Sequence, residues 1–113
     1  MREFNHLKSL EETEQFITQH PYTFIYISSP TCSVCHGLKP QVQELMNNYP
    51  EIKIAHIDTQ EVPEIAGRFS IFTVPVLLFI VEGKEYLREA RIVHMDLLEE
   101  KLDRIYKNMV EPH

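Results

Sequence analysis

Two cysteines stand three residues apart as Cys32-Ser33-Val34-Cys35, and the 113-residue chain has no others. Thiols at this spacing can close a disulfide without strain. The loop so closed is very short, so the bridge restrains the unfolded chain little and adds little stability. Its use is then more readily chemical than structural. The chemistry open to it is thiol–disulfide exchange. A mixed disulfide formed on the first sulfur can be attacked by the second, almost one helical turn further on. The structural alternative is a pair of reduced thiols acting as small hydrophobes. A disulfide-built secreted scaffold would instead spread its cysteines to close long loops.

Two other chemistries use the same residues. Cys32-Ser33-Val34-Cys35-His36 matches the Cys-x-x-Cys-His pattern of covalent haem attachment, with His36 as proximal ligand and a Met such as Met95 as distal one. Chains of that kind are mostly helical and exported, and neither property is expected here. For zinc, two thiols and His36 on one turn leave a tetrahedral site incomplete. His6, His20, His56, His94 and His113 show no ligand spacing. The expectation is therefore no metal and no bound cofactor.

The elements that must position the pair can be read from periodicity. Phe4 to Leu7 is a short first strand. Ser9-Leu10-Glu11-Glu12 is a capping box that starts a helix running to about Gln19, with Leu10, Thr13, Phe16 and Ile17 inward. Pro21 stops it. Tyr22 to Ser28 is an almost continuous aromatic and β-branched run, as in a strand buried on both faces. Ser29-Pro30-Thr31 breaks it, and from Ser33 the period becomes helical. Val34, Leu38, Val42, Leu45 and Tyr49 make one apolar stripe, with Pro40 as a kink and Pro50 as the stop. Ile52 to Asp58 is a second buried strand. Thr59 to Phe69 reads as a helix with Val62, Ile65, Ala66 and Phe69 inward. Val76 to Val81 is a third strand, joined through Glu82-Gly83-Lys84 to Glu85–Ile92 in a hairpin. Asp96 caps a last helix with Leu98, Leu102, Ile105 and Met109 on one face. Glu100–Arg104 and Asp103–Lys107 support it at i,i+4 spacing.

The order β-α-β-α-β-α-β-β-α predicts an α/β domain over 1–113. Its central sheet is mixed, with helices on both faces. Strands joined by helices should be parallel, and the last hairpin antiparallel. The cysteines then lie where a central strand turns into a helix, at the carboxyl end of the sheet where such folds place their sites. Free N–H groups and the helix dipole favour a thiolate on Cys32, while Cys35 lies one turn further in.

Composition narrows the functional classes. The chain is 43% hydrophobic and 25% charged, with a net charge of −6. Lys and Arg are scattered, so neither a nucleic acid nor an anionic membrane surface is an expected partner. The longest apolar run, Val74 to Val81, is far short of the roughly 20 residues that span a bilayer. Met1-Arg2-Glu3-Phe4-Asn5-His6 lacks the apolar core of a signal peptide, so the expected location is the cytoplasm.

Several of these features together resemble the thioredoxin family. They are Cys32-x-x-Cys35 with Pro40 five residues on, Ile57-Asp58, Pro63-Glu64-Ile65-Ala66-Gly67-Arg68-Phe69, and Val74-Pro75 before an apolar strand and a Gly83 turn. The similarity runs from about Phe4 to Asn108. It implies the thioredoxin fold, a nucleophile at Cys32, a resolving thiol at Cys35 and a cis peptide at Val74–Pro75. The backbone at Val74 would pair with an extended substrate segment, which makes Thr31, Thr73, Val74 and Pro75 the candidate substrate-binding residues. The implied activity is reduction of protein or small-thiol disulfides. A separate reductase or low-molecular-weight thiol would recycle the pair. The alternative is a thioredoxin-fold module that binds extended partners without turnover. The chain departs from the family at several positions. The Trp before the first cysteine is Thr31, and Gly-Pro between the cysteines is Ser33-Val34. The buried acid is Tyr26, the position of its lysine partner is Ile54, and the late Gly is Ala90 or Arg91.

Overall fold

The computed structural model describes residues 2–109. Among the described residues five strands form one sheet in the order β1-β3-β2-β4-β5. They are β1 (Asn5–Leu7), β2 (Tyr22–Ser28), β3 (Lys53–Asp58), β4 (Val76–Val81) and β5 (Lys84–Ala90). Within the same described residues four helices accompany them: α1 (Leu10–Gln19), α2 (Ser33–Met46), α3 (Ile65–Phe69) and α4 (Met95–Met109). The element order is the expected one.

Alternation along the central strands splits the core in two. Phe24, Tyr26, Ile54, Leu77 and Phe79 pack against Leu38, Val42, Leu98 and Leu102 of α2 and α4. Ile25, Ile27, Ile57, Leu78 and Ile80 pack against Phe16, Ile17, Ile65 and Phe69 of α1 and α3. Helices therefore cover both faces, and β2 and β4 are apolar along nearly their whole length because both of their sides are buried.

The direction of β4 corrects the sequence expectation. β1 and β2 run parallel to β3, but β4 is antiparallel to β2, with Val76 opposite Ile27 and Val81 opposite Tyr22. A five-residue helix rises only about 7.5 Å, whereas a six-residue strand is about 20 Å long. α3 thus leaves the chain at the end of the sheet where β3 finished, and β4 starts from there. This brings residues 72–75 to the same end as the cysteines. The β4–β5 hairpin is antiparallel as expected. Its turn has Glu82 at φ 51 and Gly83 at φ 82, the left-handed pair that matches the twist of the flanking strands.

Helix ends also differ from the expected ones. α3 begins at Ile65 rather than Thr59, because the Asp58 carboxylate accepts from the Gln60 N–H at 2.8 Å and holds a turn there. α2 ends at Met46, short of Pro50. The N–H groups of Asn47, Asn48 and Tyr49 bond three residues back instead of four. α4 begins at Met95, so Asp96 lies in the first turn rather than at the cap, where its charge still suits the helix dipole. Tyr106, not the exposed Met109, completes the buried face of α4. Val34 is 61% exposed, because the buried face of α2 runs through Cys35, Leu38, Val42, Leu45 and Met46 and so enters the first turn at Cys35 rather than at Val34. The Ser9 cap is as expected, its hydroxyl accepting from the Glu12 N–H at 3.0 Å. Both i,i+4 ion pairs on α4 form.

Arg2 carries a structural role that no pattern in the sequence announces. Its guanidinium donates to the carbonyls of Met46, Tyr49 and Ile52 at 2.9, 3.0 and 2.5 Å. It thereby satisfies carbonyls where α2 ends and the chain turns towards β3. Arg2→Ala is expected to lower stability by about 2 kcal/mol, from the loss of charge-assisted bonds that are partly open to water. A urea midpoint within error of the parent would contradict this role.

Candidate active site

β2 ends at Ser28, and the chain turns through Ser29-Pro30-Thr31, with the Cys32 N–H donating to the Ser29 carbonyl at 3.2 Å. Cys32 is the N-cap of α2, its sulfur accepting from the Cys35 N–H at 3.1 Å. The sulfur therefore occupies the place at a helix start where an acceptor is best held, and where negative charge is favoured. Cys35 is 2% exposed and Cys32 half-buried. The two are joined as a disulfide with their Cα atoms 5.3 Å apart. His36, exposed one residue on, directs Nε2 to the Pro30 carbonyl at 3.1 Å and so clips the loop that leads into Cys32.

Across the sheet end lies the segment before β4. The Val74–Pro75 peptide is cis, as the resemblance implied. Pro75 is buried and Val74 half-buried. Val74 and Cys32 both pack against the cluster that contains Tyr26. Thr31 and Thr73 are exposed at this end of the sheet, and Phe72 is 93% exposed. The fold thus gathers all six expected site residues around the carboxyl end of β2. Among the described residues, no group of three His, Cys, Asp or Glu side chains is placed to hold a metal ion.

Beneath the pair the structure adds contacts that sequence reading missed. The fully buried Tyr26 donates its hydroxyl to the Cys35 carbonyl at 2.5 Å and stacks on Phe4 with ring centroids 5.6 Å apart. Burial pushes its phenol up to about 12, so it stays a neutral donor at physiological pH. The residue opposite it on β3 is His56, while Ile54 lies opposite Phe24. His56 Nε2 shares a hydrogen bond of 2.6 Å with Ser28 Oγ. Its ring borders a polar recess of about 250 Å³, also lined by Glu3, Phe4, His6, Lys39 and Gln43. Period-2 alternation places Tyr26 and Ser28 on one face of β2. Only the β2–β3 register shows that His56 joins them.

Burial, with Lys39 and His6 nearby, lowers His56 to about 4, against smaller opposing effects of Asp58 and Glu61. An unfolded histidine titrates near 6.5. Between those values the unfolded chain binds a proton that the folded one does not, so stability falls as pH drops from about 6.5 to about 4. Denaturant midpoints should show this slope, and His56→Gln should flatten it. An equal slope in both proteins would place the acid sensitivity elsewhere.

Of Ala90 and Arg91, only Arg91 has left-handed backbone, with φ 67. It follows β5 directly, and its N–H donates to the Pro75 carbonyl at 2.9 Å.

A family model described as Thioredoxin matches residues 6–104. The chain is 52% identical over 107 residues to the thioredoxin-like protein YdfQ of Bacillus subtilis, covering 95% of this chain and 96% of that one. It is 27% identical over 100 residues to thioredoxin H5 of Oryza sativa subsp. japonica, covering 86% and 74%. The crystal structure of thioredoxin from Trypanosoma brucei brucei matches with a TM-score of 0.83 at 18% identity, over 94% of this chain and 93% of that one. That last likeness is one of fold.

Proposed function

Because the chain belongs to the thioredoxin family and carries its Cys-x-x-Cys pair, we propose that it reduces disulfides through Cys32 and Cys35. Thiol–disulfide oxidoreductase chemistry in general is what the family and the pair support. The residue roles below are our reading. The observation that carries it is the half-buried Cys32 sulfur capping α2, with the buried Cys35 bonded to it.

In the reduced protein the Cys32 thiolate attacks one sulfur of a substrate disulfide. A Cys32–substrate disulfide forms and the other substrate sulfur leaves as a thiolate. Cys35 loses its proton and attacks the Cys32 sulfur. The second substrate thiol departs, two electrons have passed to the substrate, and the Cys32–Cys35 disulfide remains. A reductase or low-molecular-weight thiol returns the pair to the dithiol. A reducing cytoplasm suits this cycle, since it supplies such thiols. Substrate would lie along Thr31, Thr73, Val74 and Pro75, with Val74 offering its backbone to an extended segment.

Insulin reduction with dithiothreitol as the reductant tests the reading. The protein should accelerate precipitation of the insulin B chain, and Cys32→Ser should return it to the uncatalysed rate. A parent protein no faster than dithiothreitol alone would leave binding without turnover as the function.

Alkylation tests the order of the two thiols. In the reduced protein near neutral pH, iodoacetamide should label Cys32 at least about tenfold faster than Cys35, through exposure and the helix-start field. Peptide mapping reads the result. Equal labelling would overturn the assignment of nucleophile.

A further inference from the structure

Resting on the reading of the site above, we propose that Arg91 is a specificity residue. It would select polypeptide substrates that carry a carboxylate side chain near the reacting cysteine. The starting observation is a backbone outlier. Among the described residues three non-glycine residues adopt left-handed φ: Ser70, Glu82 and Arg91. Ser70 is the C-cap of α3, and Glu82 lies in the β4–β5 turn, so both have local reasons for it. Arg91 ends no helix and lies in no hairpin turn. Glycine would meet this geometry with less strain. Strain retained by a long cationic side chain points to a use for that side chain.

Its position fits such a use. The bond from the Arg91 N–H to the Pro75 carbonyl fixes Arg91 directly beside the Val74–Pro75 segment. Its charge is also uncommitted. Arg2 is held by carbonyls, Arg68 by Glu14, Arg88 by Glu85 and Arg104 by Glu100. Among the described residues, Arg91 is the one arginine whose guanidinium has no such partner. A free guanidinium at this end of a chain with net charge −6 runs against the overall field. It offers the planar fork that suits a carboxylate.

The surroundings favour a polypeptide over a small hydrophilic disulfide. Among the described residues six large apolar side chains are exposed, and three of them flank this site: Val34 at 61%, Phe72 at 93% and Ile92 at 75%. Val34 lies between the cysteines, Phe72 two residues before Val74, and Ile92 next to Arg91. An extended segment along Val74 would set its apolar side chains on these three and an Asp or Glu against Arg91.

Disulfide-linked synthetic peptides test this. Each would carry Leu beside its cysteine and Glu, Gln or Lys two residues away on either side. Two quantities would be measured at low and high salt. The first is the rate of reduction by the reduced protein. The second is the affinity, by NMR titration, for single-chain versions with Ser in place of Cys. In both, Glu should exceed Lys by roughly five- to tenfold at low salt, with Gln between and the gap closing in high salt. Arg91→Gly should make the three peptides converge, and Arg91→Glu should reverse their order. Rates independent of peptide charge, or a Glu preference that survives Arg91→Gly, would overturn the role of Arg91 and leave the disulfide-reductase reading intact. If no peptide is reduced while the Glu preference in affinity holds, the reductase reading falls and the role of Arg91 stands.

Discussion

Cys35→Ser should capture disulfide substrates through Cys32 and fail to release them, with turnover lower by at least a factor of about a thousand. The magnitude follows from where the resolving sulfur sits. Cys35 is held against Cys32 on the first turn of α2. Intramolecular attack at such range corresponds to an effective concentration far above that of any thiol in solution. An external thiol must then do the work of Cys35, slowly. Cys32→Ser should capture little, because Cys35 is 2% exposed and cannot meet a large substrate first. Non-reducing gels and mass spectrometry of both variants, mixed with oxidised protein substrates, show the difference. Equal capture by the two would mean that burial does not rank the thiols.

The second large effect is expected at Tyr26. Tyr26→Asp removes a fully buried ring that stacks on Phe4 and bonds the Cys35 carbonyl. It leaves a carboxyl among Phe24, Ile54, Leu77 and Phe79. The lost packing alone should lower stability by about 4 kcal/mol, with a further loss when the acid ionises. The sign with pH is fixed by burial. A buried carboxyl titrates above its unfolded value near 3.9, so the folded state keeps a proton that the unfolded chain gives up. The deficit therefore grows as pH rises from about 4 through the raised folded pKa. The same carboxyl would supply the Cys35 proton acceptor that a phenol pushed up to about 12 cannot be. Resolution in the parent should then depend on water or hydroxide, and in Tyr26→Asp the rate optimum should move towards neutral pH. A folded variant with the parent pH–rate profile would show that the proton does not pass through position 26. A variant as stable as the parent would contradict the packing described for this residue.

Much of this architecture could be read from the sequence, and most of the misses share a cause. The Ser9 cap, the β2 run, the Glu82-Gly83 turn and the i,i+4 pairs are local patterns, and all appear where expected. The Cys-x-x-Cys spacing and Val74-Pro75 carried the site because their arrangement depends on one strand–helix junction and one loop. Most of what failed depended on residues distant in sequence; the start of α3, set by Asp58 and Gln60, is a local exception. β4 runs antiparallel because α3 is too short to return the chain, and α3 is short because one Asp58 side-chain bond replaces its first turns. Val34 matches the period of α2, yet it is the adjacent Cys35 that meets the core, a choice between neighbours that the period alone does not make. The Tyr26–His56–Ser28 contacts need the β2–β3 register. The Arg2 bonds join positions more than 40 residues apart. The choice between Ala90 and Arg91 needed a backbone angle.

The central claim is that Cys32 and Cys35 pass two electrons to a substrate disulfide, and a single turnover without added reductant tests it most directly. The protein is reduced, freed of dithiothreitol and mixed with excess insulin. Protein and insulin thiols are then counted by alkylation and mass spectrometry. The account predicts that each molecule loses its two thiols as a Cys32–Cys35 disulfide and opens one insulin disulfide, with Cys35→Ser stopping at a Cys32–insulin adduct. Insulin left intact beside a protein that keeps both thiols would contradict it.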